Sequence, residues 1–144
     1  MTPSGPRRRL LIVDDEEAMR LLLAKFVQQD LGAELTLAGT CEAALRLARA
    51  VSYDAMLLDL VMPGVGGVEV LRQIRADSAN RSTPIVIVSV LVKDPETGEP
   101  LTEQRAKALG ANAIVRKPVD RPSLAAALRA QWSMPDRRVP LTAK

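Results

Sequence analysis

The chain of 144 residues, 47% apolar and 26% charged, suits one soluble globular domain that buries its own core without staples. A single cysteine excludes an internal disulfide, no apolar run nears the roughly 18 residues of a membrane span, and "MTPSGPRRR" holds no leader-type apolar stretch, so a cytoplasmic protein without membrane insertion is expected. The net charge of +3 belongs to the ends: setting aside Arg7, Arg8, Arg9, Arg137, Arg138 and Lys144 against Asp136 leaves a slightly acidic body, and one Phe, one Tyr and one Trp offer little to stack on bases, so nucleic acid is not an expected partner.

Residues 1–8 read as a flexible basic tail. "LLIV" (10–13) is short, continuous and apolar, which suits a parallel strand covered on both faces. Met19, Leu22, Leu23 and Phe26 then follow the i, i+3, i+4, i+7 spacing of an amphipathic helix. "AELTLA" (33–38) alternates and predicts a less buried strand at an edge. Ala44, Leu47, Ala48 and Val51 repeat the helical spacing. "AMLL" (55–58) is the third strand, and Gly67, Val70, Leu71 and Ile74 mark the third helix. "IVIV" (85–88) is the fourth strand. A weaker helix covers Thr102 to Leu109, with Gly110 as its C-cap. "AIV" (113–115) is the fifth strand. Leu124, Ala127, Leu128 and Gln131 nearly repeat the helical spacing, with Trp132 beside them. Residues 133–144 read as a second flexible tail, which leaves a domain at 9–132. Five β-α units predict an α/β layer fold with a parallel sheet and right-handed crossovers.

The buried strands end on polar residues. The first ends in Asp14 and Asp15, the third in Asp59, the fourth in Ser89, and the fifth runs through Arg116 to Lys117 and Pro118. Ligands of open parallel sheets sit outside the carboxyl ends of the strands, so these residues can converge although over a hundred positions separate the first from the last. Each also has a plainer reading. Asp14, with Glu17 three residues on, fits a helix capping box. Asp59 can open a turn before Pro63 and Gly64. Ser89 can be a loop residue, and Lys117 a solvated strand end. Those readings account for each residue singly but not for their common edge. Gly64, Gly66 and Gly67 have the wrong spacing for a nucleotide fingerprint and serve turn and helix entry.

Clustered carboxylates repel, by about 4 kcal/mol for two charges about 4 Å apart at an effective dielectric of about 20. A divalent cation removes the conflict. Mg²⁺ takes oxygen ligands, commonly one or two carboxylates with waters and phosphate. A lysine opposite would balance one phosphoryl oxygen and a hydroxyl would donate to another. The set reads as a phosphoryl-transfer site.

On these residues the sequence resembles the receiver domain of two-component response regulators, the CheY-like family, and within it the receivers of hybrid histidine kinases. The resemblance covers Arg9 to Trp132. "LLIVDDEE" (10–17) is similar to the family's first strand and acidic pair, and "DAMLLDLVMPGVGGVEVLRQIR" (54–75) to its phosphoacceptor segment. "PIVIVS" (84–89) and "GANAIVRKP" (110–118) are similar to its hydroxyl and Lys-Pro segments. The resemblance implies a doubly wound, flavodoxin-like (βα)5 fold with strand order 2-1-3-4-5. It implies Asp59 as phosphoacceptor and Mg²⁺ as cofactor, held by Asp15 directly, by Asp14 mainly through water, by Asp59 and by the backbone carbonyl of Val61. Lys117 would pair with the phosphoryl group and Ser89 would bond it after transfer. Glu16 and Glu17 are left to serve the helix start.

The implied protein is not an enzyme but a phosphoacceptor that assists its own modification. The 144 residues contain no His, so the donor would be a histidine kinase or a histidine phosphotransfer protein. With no output domain expected after residue 132, a stand-alone receiver would signal by contact with an unknown downstream protein, or relay the phosphoryl group. It would do so as a monomer or a phosphorylation-dependent dimer. Some positions depart from the family. Val90 follows Ser89 where many members have a smaller residue, Ile114 stands where many carry an aromatic switch residue, and Val61 replaces a common polar residue. Ser89 and Lys117 are 28 positions apart, several more than usual, and the excess lies in "LVKDPETGEP" (91–100). That loop reads either as a merely tolerated surface insertion or, having few sheet or helix bonds, as the segment that moves on phosphorylation and forms the partner-selective surface. Two rivals are a phosphohydrolase of the haloacid-dehalogenase type, which needs a second Asp where Val61 stands, and a phosphorylation-independent interaction module with the same fold.

Overall fold

The computed structural model describes residues 7–90, 92–94 and 96–133. The two expected tails, 1–8 and 133–144, lie outside the described residues except at Arg7, Arg8 and Ser133. Strand β1 (Arg9–Val13) is followed by α1 (Glu17–Leu31), β2 (Glu34–Ala38), α2 (Cys41–Ala50), β3 (Ala55–Leu58), α3 (Gly67–Ala76), β4 (Ile85–Ser89), α4 (Glu103–Leu109), β5 (Ala113–Arg116) and α5 (Arg121–Ser133). The strands pair in parallel in the order β2-β1-β3-β4-β5, the flavodoxin-like arrangement that the resemblance implied.

Burial on both faces explains the continuous apolar strands. Successive side chains of a strand point to opposite faces. Leu11 and Val13 share one face with Met56, Leu58, Ile85 and Ile87, where α2 and α3 bring Ala44, Ala48, Val70, Leu71 and Ile74. Leu10 and Ile12 share the other with Leu57, Val86 and Val88, where α1 and α5 bring Leu23, Val27, Leu124 and Leu128. Each fully buried aliphatic side chain contributes about 1.5–3 kcal/mol. Strand β2 is at an edge, as its alternation predicted, with Glu34 and Leu37 exposed and Ala38 buried.

Local chemistry fixes the helix ends. The hydroxyls of Thr40 and Thr102 accept the N–H groups of Ala43 and Arg105, each at 3.0 Å, and so cap α2 and α4. Gly110 closes α4 in the left-handed conformation. Val51, predicted as the last periodic residue of α2, is instead its extended C-cap. The reason is tertiary: Asn80, fully buried, donates its Nδ2 to the carbonyls of Ala48 and Val51 at 2.7 Å each. At the end of the sheet away from the acidic residues, the Trp132 indole N–H donates to the Asp54 carbonyl at 3.1 Å, and the Arg8 guanidinium lies 4.3 Å from the ring centroid.

Segment 91–100 lies outside every helix and strand, as the sequence predicts, yet it is bonded more firmly than the sequence shows. Among its described residues, Lys93 and Pro100 form an antiparallel bridge, and the Asp94 N–H donates to the Glu99 carbonyl at 2.7 Å. The buried Asp94 carboxylate accepts the Glu96 N–H at 2.9 Å and pairs with Arg105 of α4. Glu96 pairs with Arg105 and, at 2.6 Å, with Arg72 of α3. Charges that composition counts as solvated tie this hairpin to two helices.

Candidate functional site

The strand register builds the site. Val13 pairs with Leu58, Leu58 with Ile87, and Ser89 with Arg116. The residues immediately after β1, β3 and β5 are Asp14, Asp59 and Lys117, so all three leave the sheet along one edge, beside Ser89 on the last rung of β4. Asp14 is 0% exposed and Asp59 4%, whereas Asp15 is exposed. Asp14, Asp15 and Asp59 each offer a carboxylate oxygen within 4.8 Å of the others. The Lys117 ammonium, its side chain 11% exposed, donates to Asp14 Oδ2 at 2.7 Å and to Asp59 Oδ2 at 3.3 Å. The Ser89 hydroxyl donates to Asp59 Oδ1 at 3.2 Å, and the Val61 N–H to the same oxygen at 3.0 Å. All five side chains picked from the strand ends are therefore together.

Burial alone would lower the Lys117 pKa. The hydrogen bond it donates to Asp14 and the charge of Asp59 outweigh it, and the ammonium is held above its ordinary value. One cation thus faces three carboxylates. Two unit charges 4.8 Å apart repel by about 3.5 kcal/mol at an effective dielectric of about 20. The surplus negative charge and the all-oxygen donor set fit a hard divalent cation.

The plainer readings divide. Asp14 does not cap α1. The N-cap is Glu16, no side chain bonds there, and Asp14 Oδ1 instead accepts the Glu16 N–H at 2.9 Å. The local Asp14–Glu17 pattern gives way because Lys117 engages the same carboxylate. Glu17 lies in the first turn of α1, where an acid favours the positive helix end. Asp59 does order its turn through Val61, and faces Lys117 as well. Lys117 is not a solvated strand end. Val61 and Val90 are 51% and 47% exposed, while Ile114 is half-buried against the core.

The roles of two residues escape the sequence reading. A Cβ on Gly67 would lie 2.3 Å from Leu60 Cα and 2.5 Å from the Asp59 carbonyl oxygen, so only glycine lets α3 close on the backbone behind Asp59. Gly67 is visible in the sequence at the helix entry, but this reason for it is not. Arg20 of α1 donates Nη1 to the Asp14 main-chain carbonyl at 2.7 Å, and nothing local distinguishes it from other helix-face arginines. Among the described residues no helix is long and apolar enough to cross a membrane.

The family model described as the response regulator receiver domain matches residues 10–129. The sensory/regulatory protein RpfC of Xanthomonas campestris pv. campestris is 33% identical over 113 residues, 77% of this chain but 15% of that protein, so the chain corresponds to a small part of it. Protein PilH of Pseudomonas aeruginosa is 32% identical over 116 residues, 81% of this chain and 90% of that one. Among solved structures, the receiver domain of sensor histidine kinase PA1611 from Pseudomonas aeruginosa, with a magnesium ion coordinated in its active site cleft, matches with a TM-score of 0.74. It is 25% identical and covers 90% of this chain and 100% of that one.

Proposed function

The chain belongs to the response regulator receiver domain family, and from that premise we propose that it accepts a phosphoryl group on Asp59 from a phosphohistidine of a partner protein, with Mg²⁺ bound. One observation carries the reading. Lys117 touches Asp14 and Asp59, 103 and 58 positions away in sequence, at 2.7 and 3.3 Å, which assembles nucleophile, acidic pair and ammonium at one point.

A carboxylate oxygen of Asp59 attacks phosphorus. The P–O bond forms as the P–N bond breaks, and the electron pair leaves on the imidazole nitrogen. The Val61 N–H steadies the Asp59 carboxylate during the attack. Lys117, already an ammonium, moves from carboxylate to phosphoryl oxygen, and the Ser89 hydroxyl transfers its hydrogen bond to another. Exposed Asp15 would hold the metal directly. Asp14, occupied by Lys117 and the Glu16 N–H, would act mainly through water. Asp59 and the Val61 backbone carbonyl would complete the protein's share. Mg²⁺, when bound, would supply positive charge against the surplus carboxylates and the phosphoryl oxygens.

The chain is modified once per transfer and is not an enzyme in the turnover sense. Its donor is a histidine kinase or a histidine phosphotransfer protein, a reading supported by the likeness to the receiver domain of sensor histidine kinase PA1611. Output follows by protein contact or by passing the phosphoryl group on. Incubation with Mg²⁺ and acetyl phosphate, read by intact mass, should add one phosphoryl group to the wild type and none to Asp59→Asn. Equal gain by both proteins would refute the assignment, and no gain by either would favour a phosphorylation-independent module.

A further inference from the structure

The turn carrying the acidic pair is held from outside the acidic cluster. The Asp14 N–H donates to the Ala38 carbonyl at 3.1 Å, and past that point β1 leaves its neighbour β2. The Asp14 main-chain carbonyl accepts Arg20 Nη1 at 2.7 Å. Arg20 sits in the first turn of α1, its own N–H donating to the Glu16 carbonyl at 3.0 Å, and its side chain reaches back over the helix start. The guanidinium rests on Gly39, between β2 and α2. A Cβ there would stand 2.7 Å from Nη1 and 3.1 Å from Cζ. Gly39 is not among the glycines with positive φ; the seated guanidinium, rather than the backbone conformation, occupies the space a Cβ would take. Among the described residues Arg20 makes no ion pair, although Asp14, Asp15, Glu16 and Glu17 lie three to six positions before it.

We propose that Arg20 is a positioning residue for the divalent cation: seated on Gly39, it fixes the Asp14 carbonyl and so the turn that aims Asp14 and Asp15. The inference rests on the metal-site reading above. Two effects of Arg20 have opposite signs. Its charge repels a cation, which by itself would weaken binding. Its bond to the backbone of a ligand-bearing residue supplies the turn's order in advance, which strengthens binding. Positioning prevails, because Arg20 is part-exposed, so salt and water screen its charge, whereas the bond acts directly on the turn. Groups that orient metal ligands typically change affinity by about 10–100-fold. Here the Glu16 N–H also holds Asp14, so the low end applies, about tenfold.

Calorimetric titration of Mg²⁺ tests this. Arg20→Gln and Gly39→Ala should each weaken binding about tenfold. Gly39→Ala deletes no ligand and no charge; it only displaces the flexible end of Arg20. The double variant should be no weaker than either single one, since both break the same contact, and Arg20→Lys should recover part of the affinity. Unchanged or tighter binding in Arg20→Gln, or additive losses in the double variant, would overturn the proposal. If Arg20→Gln does not fold, unchanged binding in Gly39→Ala overturns it alone. Absence of Mg²⁺ binding in the wild type would overturn the metal-site reading itself, and with it this inference.

Discussion

Replacing Lys117 by Met removes the cation between two buried carboxylates and keeps the length of the side chain. Asp14 and Asp59 are 0% and 4% exposed, and the ammonium lies 2.7 and 3.3 Å from them. Removing one partner of a buried ion pair costs about 3–5 kcal/mol. The exposed Asp15 side of the cluster admits water, so the lower figure of about 3 kcal/mol applies. For a domain of this size that is a fall of about 9 °C in Tm. Because the Lys117 pKa is raised from 10.5, its contribution is fully present below that value and is lost only as pH rises through the higher folded-state value. The penalty should therefore be constant between about pH 7 and pH 9. Saturating Mg²⁺ returns positive charge to the same carboxylates, so the variant should gain more Tm from the metal than the wild type does. Thermal unfolding by far-ultraviolet circular dichroism, in EDTA and in Mg²⁺, measures both effects. A variant within about 2 °C of wild type in EDTA, or one that gains less from Mg²⁺, would refute the reasoning.

Three further outcomes are expected. The Asp94 carboxyl is held below its ordinary 3.8 first by the Glu96 N–H and then by Arg105, so it stabilises the fold above that value and ceases to as pH falls through the lower folded-state value. Asp94→Asn should therefore flatten the acid limb of the stability profile, measured by urea unfolding from about pH 5 to pH 2; an unchanged limb contradicts this. Asp15→Ala should abolish Mg²⁺ binding in calorimetry while Glu17→Ala leaves it almost unchanged, because Glu17 serves the helix start; comparable losses would contradict the division. Beryllofluoride, a phosphoryl mimic, should alter hydrogen exchange more in 91–109 than in 110–116, because the hairpin is joined to Ser89 through two residues while Ile114 is aliphatic; changes confined to 110–132 would exclude the hairpin.

The elements were legible because burial on both faces leaves a continuous apolar signature, and β3 matches "AMLL" residue for residue. The ends of β1, β4 and β5 each run one residue further, to Arg9, Ser89 and Arg116, because pairing with Glu34 and between Ser89 and Arg116 is tertiary and leaves no apolar mark. The site was legible for a topological reason: parallel strands place their carboxyl ends together, so polar residues after apolar runs converge. What the pattern could not show is who holds whom. A local Asp-x-x-Glu pattern suggests a cap, and only the folded chain brings Lys117 to Asp14. The ties of the hairpin at 91–100 are hidden for the same cause, since Arg72 and Arg105, its ion-pair partners, stand in helices with nothing local to mark them. Trp132 is placed to report unfolding rather than metal binding, because it bonds Asp54, ahead of β3, while the acidic cluster lies beyond the strand's other end.

The central claim is that Asp59, rather than Asp14, Asp15 or Ser89, carries the phosphoryl group. Phosphorylated protein should be reduced with borohydride, which converts an aspartyl phosphate to homoserine, and its peptides mapped by mass spectrometry. The account predicts homoserine at position 59 only, and only when Mg²⁺ was present. Conversion at position 14 or 15, or a borohydride-resistant phosphate on Ser89, would contradict it.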